Sequence, residues 1–237
     1  MNKDWTEISR NPVSIEVFIF LQHELRCRKK GNINDFMLFV KSFVEGYDVL
    51  DIGIVEHDIS HIESNNWKHK YICGWAKSVL GLDILSKEVE FLKQKGFNVI
   101  EADATSDIDL GQRFDRVVIG DVVEHVVNPV NLLKFASRHI HDSGSILLST
   151  PNPYFYQFIY RTIKEGTFIA NAEHLSWITP SMALELGRRS GLNLREYRLL
   201  QGKPKSIVKK IIKKIIECFI GKDSEILTSA FLYIYEK

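Results

Sequence analysis

The segment Tyr47–Asp58 constrains the fold of this 237-residue chain more than any other. It reads YDVLDIGIVEHD, a short apolar run that ends in Asp51 and Gly53 and leads into a turn. Apolar runs of this kind are typical of buried parallel strands, which often lead into a ligand-binding turn. A second run, Val79–Asp83, also ends in an acid. The pair predicts a nucleotide-type ligand at the carboxyl ends of neighbouring strands.

Short apolar strands alternate with helical segments along the middle of the chain. Strands are predicted at residues 48–52, 78–83, 98–101, 114–119 and 145–149, and helices at residues 67–77, 87–95 and 129–140. This alternation predicts a parallel sheet whose right-handed crossovers place helices on both faces. Two later strands, 192–200 and 229–235, lack the usual crossover helix and predict an antiparallel addition at the sheet edge. The expected fold is therefore α/β: a Rossmann-like, doubly wound, mostly parallel seven-stranded sheet with an antiparallel last strand.

Two helices are predicted before the first strand. Residues 13–25 and 34–44 carry apolar side chains at helical spacing, and Asn32 or Asn34 is a suitable cap for the second helix. We expect residues 1–46 to form an N-terminal helical lid or flank. Residues 47–237 then form the main domain, with an inserted helix at 205–220.

Composition excludes few functions, but the use of cysteine indicates the cellular compartment to expect. The formal net charge is +1, so no overall field favours nucleic acid, and a nucleic-acid partner is not expected. Cys27, Cys73 and Cys218 lie far apart, in no metal or disulfide spacing, which is typical of reduced thiols in a cytosolic protein. The first residues lack a signal-peptide pattern. We expect a cytoplasmic protein, with peripheral attachment to the inner face of the membrane as an addition.

Five segments, taken in order, resemble the class I S-adenosylmethionine (SAM)-dependent methyltransferases. They are VLDIG at 49–53, LDI at 82–84, EADA at 101–104, FDRVVIGDVVEH at 114–125 and GSILLSTPN at 144–152. A later segment, EHLSWITP at 173–180, is similar to one found in the branch that methylates small molecules and glycans. The resemblance covers roughly residues 47–235 and implies SAM as the cofactor.

The resemblance also implies which residues hold the cofactor. The acid after the second strand accepts the ribose hydroxyls, as in dinucleotide folds, and the acid after the third strand reads the adenine amino group. Glycine after the first strand lets the backbone approach the ligand closely. The implied cofactor residues are Asp51, Gly53, Asp83, Ile84, Asp103, Ala104, Gly120 and Asp121. The local alternatives are a helix cap for Asp83 and a turn for Asp103.

The turn after the first strand departs from the family pattern. Val55 and His57 stand where the family usually has its second and third glycines. Either the cofactor lies over a remodelled loop, with Asn65, Asn66 and His69 supplying contacts, or the loop orders when a ligand binds. A third interpretation is a non-catalytic binding module that keeps only the fold.

Acid and histidine residues follow the fourth and fifth strands. Glu124, His125 and His174 are the candidate catalytic residues, because a hydroxyl acceptor must lose a proton. With Asp121 they form a set similar to the metal site of ubiquinone-type and small-RNA 2′-O-methyltransferases, in which a divalent metal (Mg²⁺, Mn²⁺ or Zn²⁺) binds the acceptor oxygens. That pattern more often has Glu at the position of Asp121. The alternatives are a histidine base without metal, or a structural role in which His174 packs beside Trp177.

The acceptor and the partners are open on sequence alone. The turn at Asn152 and Tyr154 and the aromatic residues of 154–168 are expected either to line an acceptor pocket or to form the core of a small cap. Residues 205–220 predict an amphipathic helix with a basic face. This helix either packs on the domain or across a homodimer, or contacts an anionic membrane. We expect methylation of a hydroxyl on a saccharide or glycan precursor, with a quinone-like lipophilic small molecule as the alternative.

Overall fold

The computed structural model describes residues 4–56, 59–62, 64, 66–201 and 207–237. Within them one sheet has the strand order β3-β2-β1-β4-β5-β7-β6. The strands are β1 Asp48–Ile52, β2 Ser78–Asp83, β3 Val99–Glu101, β4 Phe114–Gly120, β5 Ile140–Pro151, β6 Asn193–Gln201 and β7 Thr228–Glu236. Strand β7 runs antiparallel to β5 and β6, and the other pairings are parallel. The predicted seven-stranded Rossmann-like fold is confirmed.

Helices cover both faces of the sheet because successive side chains of each strand point to opposite faces. The helices are α1 Ile15–Arg28, α2 Phe36–Val44, α3 Ile59–Ile62, α4 Lys68–Trp75, α5 Ser86–Gln94, α6 Pro129–Arg138, α7 Tyr156–Glu165, α8 Pro180–Ser190 and α9 Ile207–Ile220. On β1, Val49 packs with residues of α2 and α4. Leu50 and Ile52 pack with residues of α6 and α8. The two faces therefore carry separate apolar cores.

The N-terminal helices pack along the sheet. Ser14 caps α1 by accepting the N–H of Val17, and Asp35, rather than Asn32 or Asn34, caps α2. Beyond α1, Lys29 and Ile33 form isolated parallel bridges to β6. Helix α1 and the segment after it thus flank the edge of the sheet formed by β6, whereas α2 packs on the sheet face with Val49.

The structure has two helices that the sequence did not predict, the short α3 and α7. Residues 156–165 were expected to contribute aromatic side chains to a pocket or cap, and they form α7, which ends where Gly166 adopts a left-handed φ of 72°. Helix α7 follows β5, and α9 lies between β6 and β7. Because Gln201 of β6 pairs with Thr228 of β7, both α7 and α9 lie at the carboxyl edge of the parallel strands. Within the described ranges, no helix is both long and apolar enough to span a membrane.

Candidate active site

The carboxyl ends of β2, β1 and β4 meet at one edge of the sheet. In the register, Ile52 of β1 lies beside Leu82 of β2 and Ile119 of β4. The residues that follow, Gly53, Asp83 and Gly120, therefore lie in a row. The topology brings together predicted cofactor residues that are far apart in sequence, and this edge is where ligands bind in open α/β sheets.

Asp83 ends β2 and is nearly buried, at 6% exposure. One carboxylate oxygen accepts the N–H of Val55 at 2.8 Å, and the other accepts the N–H of Leu85 at 3.2 Å. Burial raises the pKa of Asp83, and these backbone hydrogen bonds oppose the shift. A carboxylate has room for further donors, so Asp83 remains able to accept ribose hydroxyls while it anchors the altered turn. The neighbouring side chain of Ile84 is 64% exposed and offers an apolar surface at the same edge.

Asp103 and Ala104 follow β3. The Asp103 side chain is exposed, and one of its oxygens accepts the N–H and the hydroxyl of Thr105, each at 2.7 Å. Ala104 is buried. The turn role considered for Asp103 is therefore present.

Asp51 lies near the end of β1 and Gly53 directly follows the strand, and the two residues have different surroundings. Asp51 is fully buried, and its carboxylate lies 2.8 Å from Nδ1 of His69 on α4. Gly53 has a φ of +75°, and a Cβ there would collide with Val122. Glycine is thus required at position 53, whereas Asp51 is committed to a partner inside the protein.

The altered turn is filled by residues from the start of α4. Trp67 is buried and donates its indole N–H to the Ile54 carbonyl at 2.7 Å. A Cβ on Gly81 would lie 2.7 Å from the His69 ring, so the glycine makes space for this histidine. Of the contacts expected from this loop, His69 is buried against Asp51, and Asn66 is exposed. Asn65 and His57 lie outside the described residues.

The segment after β4 supplies a cluster of one acid and two histidines. Potential ligand atoms of Glu124, His125 and His174 all lie within 4.8 Å of one another. Hydrogen bonds from the N–H groups of Leu175 and Ser176 to the Glu124 carbonyl hold the two segments together. The structure therefore brings three predicted site residues together, although 49 positions separate His125 from His174. Asp121 is not a member of this close group.

Burial sets the chemistry of this cluster. Glu124 is fully buried; burial raises the pKa of its carboxyl to about 8, nearby Asp121 adds to the rise, and Lys68 opposes it. Burial also lowers the pKa of His174, and the adjacent His125 contributes. One Glu124 oxygen accepts the Thr150 hydroxyl at 3.3 Å. Its other oxygen and Nδ1 of His174 have no hydrogen-bond partner in the part of the chain that the structure describes.

Asp121 has an unusual backbone, with a φ of 56°. Left-handed conformations in residues other than glycine are uncommon and concentrate at functional sites. The N–H of Asp121 donates to the Ser149 carbonyl, and its carboxylate accepts the Ser149 hydroxyl at 3.0 Å. These bonds to β5 fix the turn, so that the chain reaches Glu124 in a defined position.

Aromatic rings extend from the cluster toward α7. The His125 and His174 rings lie edge to face, with their centroids 4.8 Å apart. The Trp177 ring packs edge-on to the His174 ring at a centroid distance of 5.4 Å. Trp177 in turn contacts Phe158 and Phe168. The expected packing of His174 beside Trp177 is present, together with the histidine pair. The cluster therefore lies against an aromatic wall.

Asn152, which the sequence predicts in an acceptor pocket, forms hydrogen bonds that hold two segments of the fold together. Its side chain is buried, and its amide nitrogen donates to the carbonyl oxygens of Glu225 and Thr228. This amide joins the end of β5 to the segment before β7. Tyr154, two residues later, is 46% exposed and stays at the surface of the site.

Comparison with known proteins identifies the family. The family described as "Methyltransferase domain" matches residues 21–197. The chain belongs to this family. Its fold is similar to a SAM-dependent methyltransferase from Archaeoglobus fulgidus, with a TM-score of 0.54 and 19% identity over 93% of this chain and 99% of that one.

Curated relatives match over part of their length. The mitochondrial ubiquinone biosynthesis O-methyltransferase of Dictyostelium discoideum is 26% identical over 52% of this chain and 44% of that protein. The (S)-coclaurine N-methyltransferase of Papaver somniferum is 29% identical over 44% of this chain and 29% of that protein. The chain thus spans less than half the length of both relatives.

Proposed function

We propose that this methyltransferase-domain protein binds SAM along the edge of β2, β1 and β4 and transfers its methyl group to a small-molecule hydroxyl. The observation that carries the proposal is the row Gly53, Asp83, Gly120, which ends beside Glu124, His125 and His174. When bound, SAM supplies a methyl group on a positively charged sulfur.

The residues of the chain have separate tasks in this proposal. Asp83 accepts the ribose hydroxyls, and Gly53 lets the backbone approach the ligand. His125 or His174 takes the proton of the acceptor hydroxyl. The lowered pKa of His174 keeps its ring neutral near pH 7, which is the form a base requires. The aromatic wall of Phe158, Phe168 and Trp177 excludes water and packs on the acceptor.

The first experiment is calorimetric titration of the protein with SAM and with its product, S-adenosylhomocysteine. Micromolar binding of both supports the enzyme proposal. No binding at millimolar cofactor would favour the alternative, a binding module that has the methyltransferase fold without turnover. Activity is then measured with hydroxyl acceptors by following S-adenosylhomocysteine formation.

For the acceptor, a quinone-like or other lipophilic molecule has more support than a saccharide. The aromatic wall beside His174 favours a flat apolar acceptor, and one curated relative is a ubiquinone biosynthesis O-methyltransferase. The relative that is an N-methyltransferase makes an amine the second class to test. A saccharide or glycan precursor, predicted from the sequence, stays a prediction that a glycan panel can test.

A divalent metal held by the same residues is the alternative to a free histidine base, because an imidazole nitrogen that binds a metal cannot also take the proton. Glu124, His125 and His174 suit Mg²⁺, Mn²⁺ or Zn²⁺ in ligand type. A buried carboxylate oxygen and a buried imidazole nitrogen without partners would each gain one from a cation. When bound there, a metal would lower the pKa of the acceptor hydroxyl. The longer reach of Glu, which the related pattern has at position 121, is absent here, and Asp121 is the weakest member of the predicted set.

We also propose that α9 contacts an anionic membrane. The helix keeps Lys213 toward the domain, where Nζ donates to Gln201. On its outer side four apolar residues recur every four positions, and each is at least half exposed: Ile207, Ile211, Ile215 and Phe219. Lys214 is exposed beside this row. Apolar side chains bordered by lysine fit the interface of an anionic bilayer, and this helix lies at the edge of the sheet that carries the candidate site.

A further inference from the structure

The first residue of α4, Lys68, places a cation at the carboxyl end of β4. Its side chain is buried, with 9% exposure. A Cβ atom on Gly120 would collide with Nζ of Lys68 and would lie 3.3 Å from its Cε atom. The absence of a side chain at Gly120 therefore makes room for the lysine. A buried ammonium group calls for an anion beside it.

In the turn after β1, two backbone N–H groups form hydrogen bonds within the protein. In a glycine-rich turn, such N–H groups would be available to a ligand. The N–H of Gly53 donates to the Leu82 carbonyl at 2.9 Å, and the N–H of Val55 donates to the Asp83 carboxylate at 2.8 Å. In related folds, the N–H groups of such a turn point at the anionic part of the ligand. Here these two N–H groups bond within the protein, so the turn offers fewer donors to the anionic end of a ligand.

The order of the strands indicates where that anionic end lies. Asp83 ends β2, Gly120 ends β4, and β1 lies between them. Two strand spacings separate the outer strands by roughly 10 Å. A SAM molecule whose ribose contacts Asp83 and whose tail crosses β1 therefore brings its methionine group to Gly120. Lys68 lies there.

We propose that the Lys68 ammonium binds the α-carboxylate of the methionine tail and replaces the glycine-rich turn as the donor for this group. The inference rests on the proposed function, because it presumes that SAM binds along this edge. It assigns to Lys68 a specificity for ligands with an α-carboxylate. The alternative is a local role, in which Lys68 only opposes the rise in the pKa of Glu124.

The test compares two ligands that differ in one group. SAM carries the α-carboxylate, and decarboxylated SAM lacks it while retaining the sulfonium and the amine. Calorimetric affinities are measured for the wild type, Lys68→Met, Lys68→Arg and the control Lys70→Met, which removes an exposed lysine from the same helix. A charged hydrogen bond corresponds to an affinity loss of about 10- to 100-fold.

We expect Lys68→Met to weaken SAM binding about 10- to 100-fold and to leave decarboxylated SAM unaffected or tighter. Lys68→Arg should retain most of the preference for SAM, and Lys70→Met should match the wild type. Equal losses for both ligands, or no loss for either, would overturn the assignment and leave the proposed function intact. If the wild type binds neither ligand, the proposed function fails, and this inference fails with it.

One measurement does not depend on whether the variants fold. The wild type alone should prefer SAM over decarboxylated SAM by at least about 10-fold, because only SAM has the group that Lys68 recognises. Equal affinity of the wild type for the two ligands would contradict the role of Lys68. Thermal melting of each variant separates a loss of binding from a loss of folding.

Discussion

The imidazole of His69 lies 2.8 Å from the carboxylate of Asp51, and neither side chain is exposed to solvent. Burial by itself lowers the pKa of His69, but the hydrogen bond and charge of Asp51, with a smaller contribution from Cys73, raise it to about 9. The sheet allows this pair because position 81 of β2, beside Asp51, is glycine. The pair links β1 to α4 at the base of the candidate site.

This pair predicts a pH-dependent stability. The folded-state pKa of His69 lies above its unfolded value of about 6.5, so the stabilisation is fully present below about pH 6.5 and is lost as the pH rises to about 9. The contribution is on the order of 3 kcal/mol. Replacing Asp51 by Asn should remove it, so that the two proteins differ most near pH 6 and least near pH 9. Urea unfolding at several pH values measures the difference.

The wild type must be compared with Asp51→Asn, because Glu124 also makes the stability of the wild type depend on pH in the same direction as His69 does. Burial raises its pKa to about 8, so it also makes the folded state less stable as the pH increases. His23→Gln, which removes a histidine with a 73% exposed side chain, is the control and should leave the profile unchanged. A constant difference between wild type and Asp51→Asn from pH 6 to pH 9 would contradict the charged pair.

Asp83 should be required for cofactor binding. Asp83→Ala removes the acceptor for the ribose hydroxyls and also the acceptor for the Val55 N–H, so the turn after β1 loses an anchor. We expect SAM affinity to fall at least about 10-fold, because a charged hydrogen bond contributes about 1.5–3 kcal/mol. Calorimetry measures the affinity. Glu90→Gln, an exposed acid on α5, is the matched control, and unchanged affinity in Asp83→Ala would refute the ribose role.

Much of the fold follows from the sequence because apolar periodicity fixes the buried strands. β1 and β2 occupy the predicted residues, and Asp83 and Gly120 reach the same edge through the parallel register alone. The close group of Glu124, His125 and His174 was also predictable, from the resemblance. By contrast, α7 was not predicted, because its aromatic residues fit a loop or cap as well as a helix face.

The contacts of α4 could not be predicted from the sequence. Lys68 and His69 look like solvent-facing residues in a polar segment, and their burial depends on two glycines, Gly81 and Gly120, far away in the sequence. Glycine within a strand is a weak signal of close approach, and it does not name the residue that approaches. Only the packed structure shows that Lys68 lies against Gly120 and His69 against Gly81.

The metal proposal predicts Mn²⁺ binding that depends on both histidines. His125→Asn and His174→Asn should each weaken Mn²⁺ binding by more than the roughly 10-fold typical of an outer-shell change, because each removes a ligand. His141→Asn, an exposed histidine on β5, should have no effect. Calorimetry with Mn²⁺ alone gives the affinity. Turnover that is unaffected by a chelator, together with wild-type protein that does not bind Mn²⁺, would dismiss the metal and leave a histidine base.

The exposed row of α9 predicts binding to anionic vesicles. The wild type should co-sediment with vesicles of mixed phosphatidylcholine and phosphatidylserine and much less with phosphatidylcholine alone, and added salt should weaken binding because lysine contributes. The double variant Ile215→Ser, Phe219→Ser should lose binding, since each buried apolar side chain contributes about 1.5–3 kcal/mol. Leu38→Ser, on α2, removes an exposed apolar residue at another surface and is the control.

Two other outcomes would contradict a membrane contact of the exposed apolar row on α9. If the wild type does not pellet with anionic vesicles but forms a dimer that Phe219→Ser dissociates, a second copy of the chain covers the row. If the wild type is monomeric and stays in the supernatant, the membrane proposal is wrong. Because Phe219 is 85% exposed while Lys213 on the other side contacts Gln201, the domain itself leaves this side of the helix uncovered. The experiment therefore separates a lipid surface from a protein partner.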